Sequence, residues 1–251
     1  MRVLIELEAL KKSAYDLKYY HKLQGFIYDL FKGTPYKGLH DRDGYKFFCY
    51  SNIFPPKDME RGDKRNLLIS SPERPLVKLV QKQLRELKDA EKSANIGDMS
   101  FKIREIKPLH PKVTRSCTLI TGTPIVIRIP RENYERYNIK PEKDYNYLYW
   151  RKRYSFEAFI KQLEDNLHKK YRAYHNQKIS EVELLFEEFV FKKQVCNHIN
   201  VKGREIPVIG SIWKFGFNYL TEERQKIIQF GLDAGFGEMN SLGFGFMNVV
   251  R

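Results

Sequence analysis

The most informative segment of this chain is Gly235-Phe236-Gly237-Glu238-Met239-Asn240-Ser241-Leu242-Gly243-Phe244-Gly245, followed by Phe246-Met247-Asn248-Val249-Val250-Arg251. Two Gly-Phe-Gly brackets enclose a five-residue spacer, between a helical pattern and an apolar strand. Glycine loses the most backbone freedom on folding, so this density indicates a backbone that bends sharply and approaches something closely. On a chain of net charge +14, a phosphodiester is the expected partner, since exposed N–H groups in such loops bind anions. The alternative is a tight turn with bulges and no ligand.

The charge balance favours a polyanionic partner. The 251 residues include 45 Lys plus Arg against 31 Asp plus Glu, an excess typical of nucleic-acid binding. A membrane surface is the competing polyanion. No apolar stretch approaches the ~18–20 residues that span a bilayer. The N-terminus lacks the apolar run of a signal peptide, and basic residues are interleaved with acidic ones. We therefore expect nucleic acid and no membrane.

The cysteines and histidines do not predict a metal site or a cofactor. Cys49, Cys117 and Cys196 are far apart, odd in number and without a CxxC pair. They are typical of reduced thiols in a cytoplasmic protein rather than of a zinc site or a disulfide framework. His168 and His175 could share one helix face, but the sequence places no third ligand beside them.

Four helical patterns are marked by apolar residues at steps of three and four. Ser71 and Pro72 are predicted as the N-cap and first-turn proline of the second helix. The marking residues are Tyr20, Leu23, Ile27, Leu30 and Phe31; Leu76, Val80, Leu84 and Leu87; Phe156, Ile160, Leu163 and Leu167; and a run from near Thr221 through Ile227, Ile228 and Gly231 to near Gly235.

Strand-like segments give both halves of the chain the order strand, helix, strand, strand, helix, strand. They cover residues 3–7, 47–50, 66–70 and 101–104 in the first half, and 116–129, 182–195, 206–217 and 244–250 in the second. Residues 130–150 are rich in Tyr and charge and lack a period. Two βαββαβ units predict an α+β fold of two domains, residues 1–110 and 111–251, each with helices on one face of an antiparallel sheet.

Together, the glycine-rich segment and this order resemble the CRISPR-associated repeat-processing endoribonucleases of the RAMP superfamily. The resemblance implies two tandem ferredoxin-like (RNA-recognition-motif-like) domains that cut CRISPR repeat RNA in precursor transcripts without a metal. It also implies a Tyr in the first helix, a His in the following loop and a Lys six residues later. Tyr28, His40 and Lys46 match these positions.

The residues themselves allow this chemistry. Tyr28 lies beside the apolar stripe of its helix on a polar flank, so we expect its hydroxyl to be exposed; an ordinary tyrosine at the core rim is the alternative. His40 lies in a polar loop, and histidine exchanges protons near neutral pH; a surface histidine without a role is the alternative. Lys46 precedes an aromatic strand, where it could equally be a solvated residue.

RNA cleavage without a metal requires the 2′-OH to lose a proton, the leaving 5′-oxygen to gain one, and the phosphoryl charge to be stabilised. We assign His40 to proton transfer, Lys46 to the phosphate charge and Tyr28 to the 2′-OH. The expected products carry 2′,3′-cyclic phosphate and 5′-OH ends. One alternative is a non-catalytic RNA-binding subunit of a CRISPR effector complex, and effector subunits are also candidate partners of the enzyme. Another is a basic protein with a structural glycine loop.

Several groups of residues are candidates for RNA contact. The resemblance places the loop glycines Gly235, Gly237, Gly243 and Gly245 on the RNA-binding face. Arg151 to Arg153, Lys169 to Arg172, and Lys192 with Lys193 are candidate phosphate contacts, and a solvated face is the alternative for each cluster. The helix dipole alone would also favour Lys169 and Lys170. No RNP-like run lies on a central strand, which weighs against the base stacking of an ordinary RNA-recognition motif.

Overall fold

A computed structural model describes residues 1–15, 19–176, 184–201 and 204–250. The chain divides into two compact units. The first comprises Met1–Pro111 with Asn240–Gly243, and the second comprises Lys112–Met239 with the residues from Phe244. The four residues Asn240–Gly243 therefore pack with the first unit, although their neighbours in sequence belong to the second. That residues 1–110 and 111–251 form separate domains stays a prediction.

Over its described residues, the first unit is a five-stranded sheet with two α-helices. Its elements are β1 (Arg2–Ala9), α1 (Tyr20–Asp29), β2 (Cys49–Tyr50), β3 (Lys64–Ser70), α2 (Arg74–Asp89), β4 (Ala94–Ile96) and β5 (Met99–Leu109). The strand order is β2-β3-β1-β5-β4, with antiparallel pairing throughout. Val3, Ile5 and Leu7 of β1 are fully buried while the residues between them are not, so one face of the central strand carries the core.

The second unit combines a four-stranded sheet, a two-stranded sheet and two α-helices within the part of the chain described. Its elements are β6 (Cys117–Thr121), β7 (Arg128–Pro130), β8 (Tyr147–Tyr149), α3 (Phe156–His175), β9 (Glu188–Val201), β10 (Arg204–Phe217), α4 (Glu222–Ala234) and β11 (Met247–Val250). The larger sheet has the order β11-β6-β10-β9, and β7 pairs with β8. The Phe159 and Trp213 rings stack in its core with centroids 4.2 Å apart. None of the described helices is long and apolar enough to cross a membrane.

The predicted α+β class with tandem ferredoxin-like units is confirmed. In the first sheet β1 lies between β3 and β5, and in the second β6 lies between β10 and β11. In both units, therefore, the first βαββαβ strand lies between the third and the fourth. Strand β4 and the β7–β8 sheet are additions to this plan that hydrophobic periodicity did not indicate.

Two predicted element boundaries in the first unit are wrong for local reasons. Phe47 has a φ of 45°, a left-handed conformation that cannot continue a strand, so β2 is limited to Cys49–Tyr50. Helix α2 begins at Arg74 after the N-cap residue Glu73. Ser71 instead accepts a hydrogen bond from the Glu73 N–H at 3.0 Å and donates one to the Phe47 carbonyl at 2.7 Å. Its hydroxyl thus joins two loops rather than capping the helix.

Boundaries in the second unit also differ from prediction. The strand-like segment 116–129 contains β6 and the start of β7, which ends one residue later at Pro130. The last strand begins at Met247 rather than Phe244, because Gly245 has a φ of 70°. Strand β9 begins at Glu188, and the predicted start at Val182 lies outside the described residues.

Candidate active site

Three predicted catalytic residues lie together in the first unit. Helix α1 buries Tyr20, Leu23 and Ile27 against the core, which leaves Tyr28 half-buried at its edge. A single 3-10 turn anchored by buried Leu39 ends at His40. The Tyr28 and His40 ring centroids are 4.9 Å apart at an interplanar angle of 80°, an edge-to-face contact. The Lys46 Nζ atom lies 5.7 Å from the Tyr28 ring centroid. The sequence-predicted trio is therefore one spatial cluster.

His40 presents an exposed ring whose orientation is set by a carboxylate. Its side chain is 62% exposed, and Nδ1 lies 2.8 Å from Asp41 Oδ1. An ionised carboxylate can only accept, so Nδ1 carries the hydrogen and Nε2 is left for proton exchange. In the sequence, Asp41 is one of several charged residues in the polar loop that carries His40. Its position directly after His40 was the available signal.

Lys46 is tied to the same loop. Its Nζ atom donates a hydrogen bond to the backbone carbonyl oxygen of His40 at 2.5 Å. Partial burial lowers the pKa of Lys46, while the carboxylates of Asp41 and Asp43 act in the opposite direction. The ammonium group is thus held beside His40 in a partly desolvated position.

The expected exposure of the Tyr28 hydroxyl is wrong. The Oη atom is buried and makes no hydrogen bond of normal geometry. Burial raises the pKa of Tyr28, and the nearby side chains of Ser241 and Gln24 oppose that rise. The ring also contacts Phe31 and Phe48 edge-on. Tyr28 therefore offers its ring, rather than its hydroxyl, to the surface beside His40.

Part of the glycine-rich segment completes this cluster within the first unit. Asn240–Leu242 forms a 3-10 turn, and Gly243 follows with a φ of 91°. A Cβ atom on Gly243 would lie 2.7 Å from the Tyr50 ring. Tyr50 is 1% exposed, and burial raises its pKa well above the ordinary value. Gly243 is thus required by close packing against a buried tyrosine, a contact that sequence analysis did not foresee.

The remainder of the segment is held within the second unit. Gly237 has a φ of 66°, and a Cβ there would lie 2.5 Å from the Val126 carbonyl oxygen. Backbone N–H groups of the segment donate to protein carbonyls: Phe236 to Gly245, Glu238 to Val126, and Gly245 to Pro124. These three donors are not available to an anion, so the expected exposure of the loop N–H groups is wrong for Phe236, Glu238 and Gly245.

A buried lysine supports this part of the segment. Lys170 is 3% exposed, and its Nζ atom donates to the carbonyl oxygens of Gly235 at 2.5 Å and Gly237 at 2.9 Å. The prediction of a phosphate contact at Lys170 is therefore wrong, because its charge is directed to the glycine backbone. Its position, three residues after Leu167 and seven after Leu163, places it on the apolar face of α3 and was the available signal.

Four of the other predicted RNA-contact cations are exposed, whereas Arg172 is only partly exposed. Arg151 and Arg153 precede α3, and Lys192 and Lys193 lie on β9. Arg153 donates to the Tyr154 hydroxyl at 3.2 Å, and this contact raises the Arg153 pKa. The β9–β10 register passes from Lys193 to Phe191, so Lys192 forms a bulge. All four side chains can meet a polyanion, and their RNA contacts stay predictions.

In the described ranges, no three His, Cys, Asp or Glu side chains form a group that could hold a metal ion. His168 is 7% exposed, whereas His175 is an exposed residue at the end of α3 whose ring lies 4.3 Å from that of Tyr171. The two histidines thus occupy different environments on the helix.

Comparison with known proteins gives a consistent result. The family described as "CRISPR associated protein Cas6, C-terminal" matches residues 78–249. The chain is 32% identical over 262 residues to CRISPR-associated endoribonuclease Cas6 2 of Methanocaldococcus jannaschii, covering 100% of both chains. It is 31% identical over 259 residues to CRISPR-associated endoribonuclease Cas6 of Haloferax mediterranei, covering 100% of this chain and 94% of that one. A solved structure titled "CRISPR associated protein Cas6" has a TM-score of 0.71 at 24% identity, covering 100% and 99% of the two chains, and supports the shared fold.

Proposed function

The chain belongs to the Cas6 family of CRISPR-associated endoribonucleases, and on that premise we propose that it cuts CRISPR repeat RNA in precursor transcripts to release guide RNAs. The observation that supports this most is His40, an exposed imidazole oriented by Asp41 and held through its backbone by Lys46. The net charge of +14 supports a polyanionic substrate.

The proposed reaction is attack of a 2′-OH on the adjacent phosphorus. The O2′–P bond forms, the P–O5′ bond breaks, and the products are a 2′,3′-cyclic phosphate and a 5′-OH. A proton leaves the 2′-oxygen and another reaches the 5′-oxygen. His40 Nε2 is the group proposed for proton transfer, because Nδ1 is engaged by Asp41. A positioned proton-transfer group contributes roughly 10²–10⁴-fold to the rate.

Lys46 is proposed to stabilise the phosphoryl charge. An ammonium group has three N–H donors, and one is committed to the His40 carbonyl oxygen. The others can meet the phosphoryl oxygens without a large side-chain movement. Such preorganised donors contribute roughly 10²–10³-fold each.

Tyr28 is proposed as a positioning residue rather than as a donor to the 2′-OH. Its hydroxyl is buried, whereas its ring edge-packs on the His40 ring. The ring restricts the imidazole to the orientation that Asp41 selects. This replaces the assignment of the Tyr28 hydroxyl to the 2′-OH that the sequence analysis made.

RNA binding is assigned to two sets of residues. Arg151, Arg153, Lys192 and Lys193 are exposed cations proposed to contact phosphates. The glycines Gly235, Gly237, Gly243 and Gly245 are proposed to act through the shape of the segment that they allow, since the contacts of Gly237 and Gly243 are internal.

The proposal also includes the setting of the enzyme. Free thiols at Cys49, Cys117 and Cys196 fit the reducing cytoplasm, where transcripts are made. Transfer of the cut RNA to subunits of a CRISPR effector complex belongs to the same proposal, and co-purification with the tagged protein tests it.

The test is single-turnover cleavage of the host's repeat RNA in EDTA, with both product ends mapped. The parent protein should cut at one position and leave the stated ends. His40→Ala should bind RNA with parent affinity and cut about 10²-fold or more slowly. His110→Ala, at another exposed histidine, is the matched control and should cut at the parent rate. Binding without any cleavage by the parent would identify a non-catalytic RNA-binding subunit instead.

A further inference from the structure

A groove of about 580 Å³ lies beside β8 in the second unit. Its volume is within the range of about 300–1,000 Å³ that is typical of small-molecule sites. Nothing in the proposed reaction uses it. Its lining combines tyrosines with side chains of both charges. The tyrosines that matter here are Tyr145, Tyr147 and Tyr149, and the charged residues are Arg151, Arg153, Glu142 and Asp144.

Exposed aromatic rings are the main feature of the groove. Tyr145 is 47% exposed and Tyr147 is 41% exposed, values far above those of the core tyrosines. Tyr147 and Tyr149 are two apart on β8 and share a strand face, and their centroids are 5.8 Å apart at 79°. Burial, with the Tyr147 hydroxyl nearby, raises the pKa of Tyr149 to about 12. Tyr149 thus packs edge-to-face against the more exposed ring of Tyr147 within the groove.

The Tyr147 ring and the Tyr145 backbone are held in place before any ligand arrives. The Arg128 guanidinium lies over the Tyr147 ring, 4.7 Å from its centroid, and Arg128 is itself fixed by Glu238. The Tyr134 hydroxyl donates to the Tyr145 carbonyl oxygen at 3.1 Å. A prepared aromatic surface loses little conformational freedom on binding.

The charges of the groove favour a base over a phosphate. Glu142 and Asp144 contribute carboxylates beside Arg151 and Arg153, so the lining is electrically mixed rather than uniformly positive. Asp144 also pairs with Arg131 at 2.9 Å. A nucleobase has a π-face for stacking and an edge with both donors and acceptors, which such a lining can meet.

We propose that this groove binds an unpaired base of the RNA, which stacks on the exposed rings of Tyr145 and Tyr147. Arg151 and Arg153 at its edge contact the phosphates that flank this base. The inference rests on the proposed function for its RNA ligand and adds a base-specific contact remote in sequence from Tyr28, His40 and Lys46. It differs from stacking on the central strands of an RNA-recognition motif, because the platform is the β7–β8 sheet.

The test is a double-mutant cycle between protein and RNA, in the His40→Ala background so that the RNA stays intact. Each nucleotide of the repeat is replaced in turn by an abasic site, and affinity is measured for each. Tyr147→Ala should weaken binding about tenfold or more, the scale of losing one stacked base. One abasic position should cause a similar loss. Tyr147→Ala tested with that abasic RNA should lose no more affinity than either change causes alone, because both changes remove the same contact.

Controls separate stacking from unfolding and from general charge. Tyr147→Phe keeps the ring and should bind nearly as the parent does. Tyr219→Ala removes a tyrosine that is 62% exposed and lies under Arg115 but outside the groove, and should have no effect. If the protein cuts repeat RNA while Tyr145→Ala and Tyr147→Ala bind like Tyr219→Ala, the groove inference is wrong and the proposed function stands. The inference would also be wrong if the affinity lost through Tyr147→Ala simply added to the loss from the abasic site at every position of the RNA. If the parent neither binds nor cuts repeat RNA, the proposed function itself fails.

Discussion

Lys46 is hydrogen-bonded through Nζ to the backbone carbonyl oxygen of His40, 2.5 Å away. The bond closes a loop of polar residues and holds the Lys46 ammonium group against the His40 backbone. The imidazole itself is oriented separately, by the Asp41 carboxylate. The proposed charge and the proposed proton-transfer group are therefore positioned by two contacts of the same loop.

The partial burial of Lys46 predicts an alkaline limit to cleavage. Burial lowers the pKa of Lys46 from 10.5, so the cation is lost at a lower pH than in the unfolded chain. The sign for stability follows: holding the charge costs folding free energy below the folded pKa, and that cost disappears above pH 10.5. As pH rises, the cleavage rate, corrected for protein-free hydrolysis, should therefore begin to decline before pH 10.5 is reached. Lys46→Arg should retain its charge there, because arginine titrates above about 12. Identical alkaline limbs for the two proteins would exclude Lys46 as the charged group.

Substitutions of Tyr28 distinguish a ring from a hydroxyl. Because the Oη atom is buried and the ring edge-packs on His40, Tyr28→Phe should retain most of the cleavage rate. Tyr28→Ala removes the ring and should slow single-turnover cleavage by about tenfold or more, through a loss of positioning. RNA affinity should change little in both. A large loss of cleavage in folded Tyr28→Phe would restore the assignment of the hydroxyl to the 2′-OH.

Gly243→Val should act mainly on stability. A Cβ at this position meets the Tyr50 ring at 2.7 Å, and the φ of 91° disfavours any side chain. Overpacking costs typically about 1–3 kcal/mol, to which the backbone strain adds. Denaturant unfolding should show the loss, and Gly243→Val should cost less stability in a Tyr50→Ala background than in the parent, because the clashing ring is then absent. Weaker RNA binding by a protein of parent stability would instead support direct contact of this glycine with RNA.

The exposed cations predict the salt dependence of binding. A plot of the logarithm of the RNA association constant against the logarithm of the salt concentration should have a slope of roughly −0.7 for each phosphate neutralised on a single strand. Removing one contact, as in Arg151→Ala or Lys193→Ala, should reduce the slope by about that amount. A titration that is nearly flat between low and physiological ionic strength would show that the charge of +14 serves another purpose.

The order of elements could be predicted from the sequence because it depends on local periodicity. The α1 stripe from Tyr20 to Phe31 and the alternation in β1 each report one buried face, and the structure has both. Boundaries were less accessible, since Phe47 leaves the strand through a positive φ that tertiary packing imposes. Neither the short edge strand β4 nor the β7–β8 sheet has enough residues for a period to appear.

The clustering of Tyr28, His40 and Lys46 followed from the family resemblance and not from any physical signal in the chain. Their partners were harder to foresee. Asp41 adjoins His40 and looked like ordinary loop polarity. Lys170 follows Leu163 and Leu167 on the apolar face of α3, which indicates burial, but the sequence does not show that the Gly235 and Gly237 carbonyl oxygens lie opposite. In both cases the role depends on which backbone lies opposite, and that is a property of the folded chain.

The central claim is that the RNA's own 2′-OH is the nucleophile and that His40 moves the proton. The direct test is single-turnover cleavage in EDTA of a repeat RNA that is 2′-deoxy only at the nucleotide 5′ of the cut. This substrate should bind with the affinity of the all-ribose RNA and remain uncut, while the all-ribose RNA yields a 2′,3′-cyclic phosphate. Cleavage of the deoxy substrate, or a strict requirement of the all-ribose substrate for Mg²⁺, would contradict the mechanism.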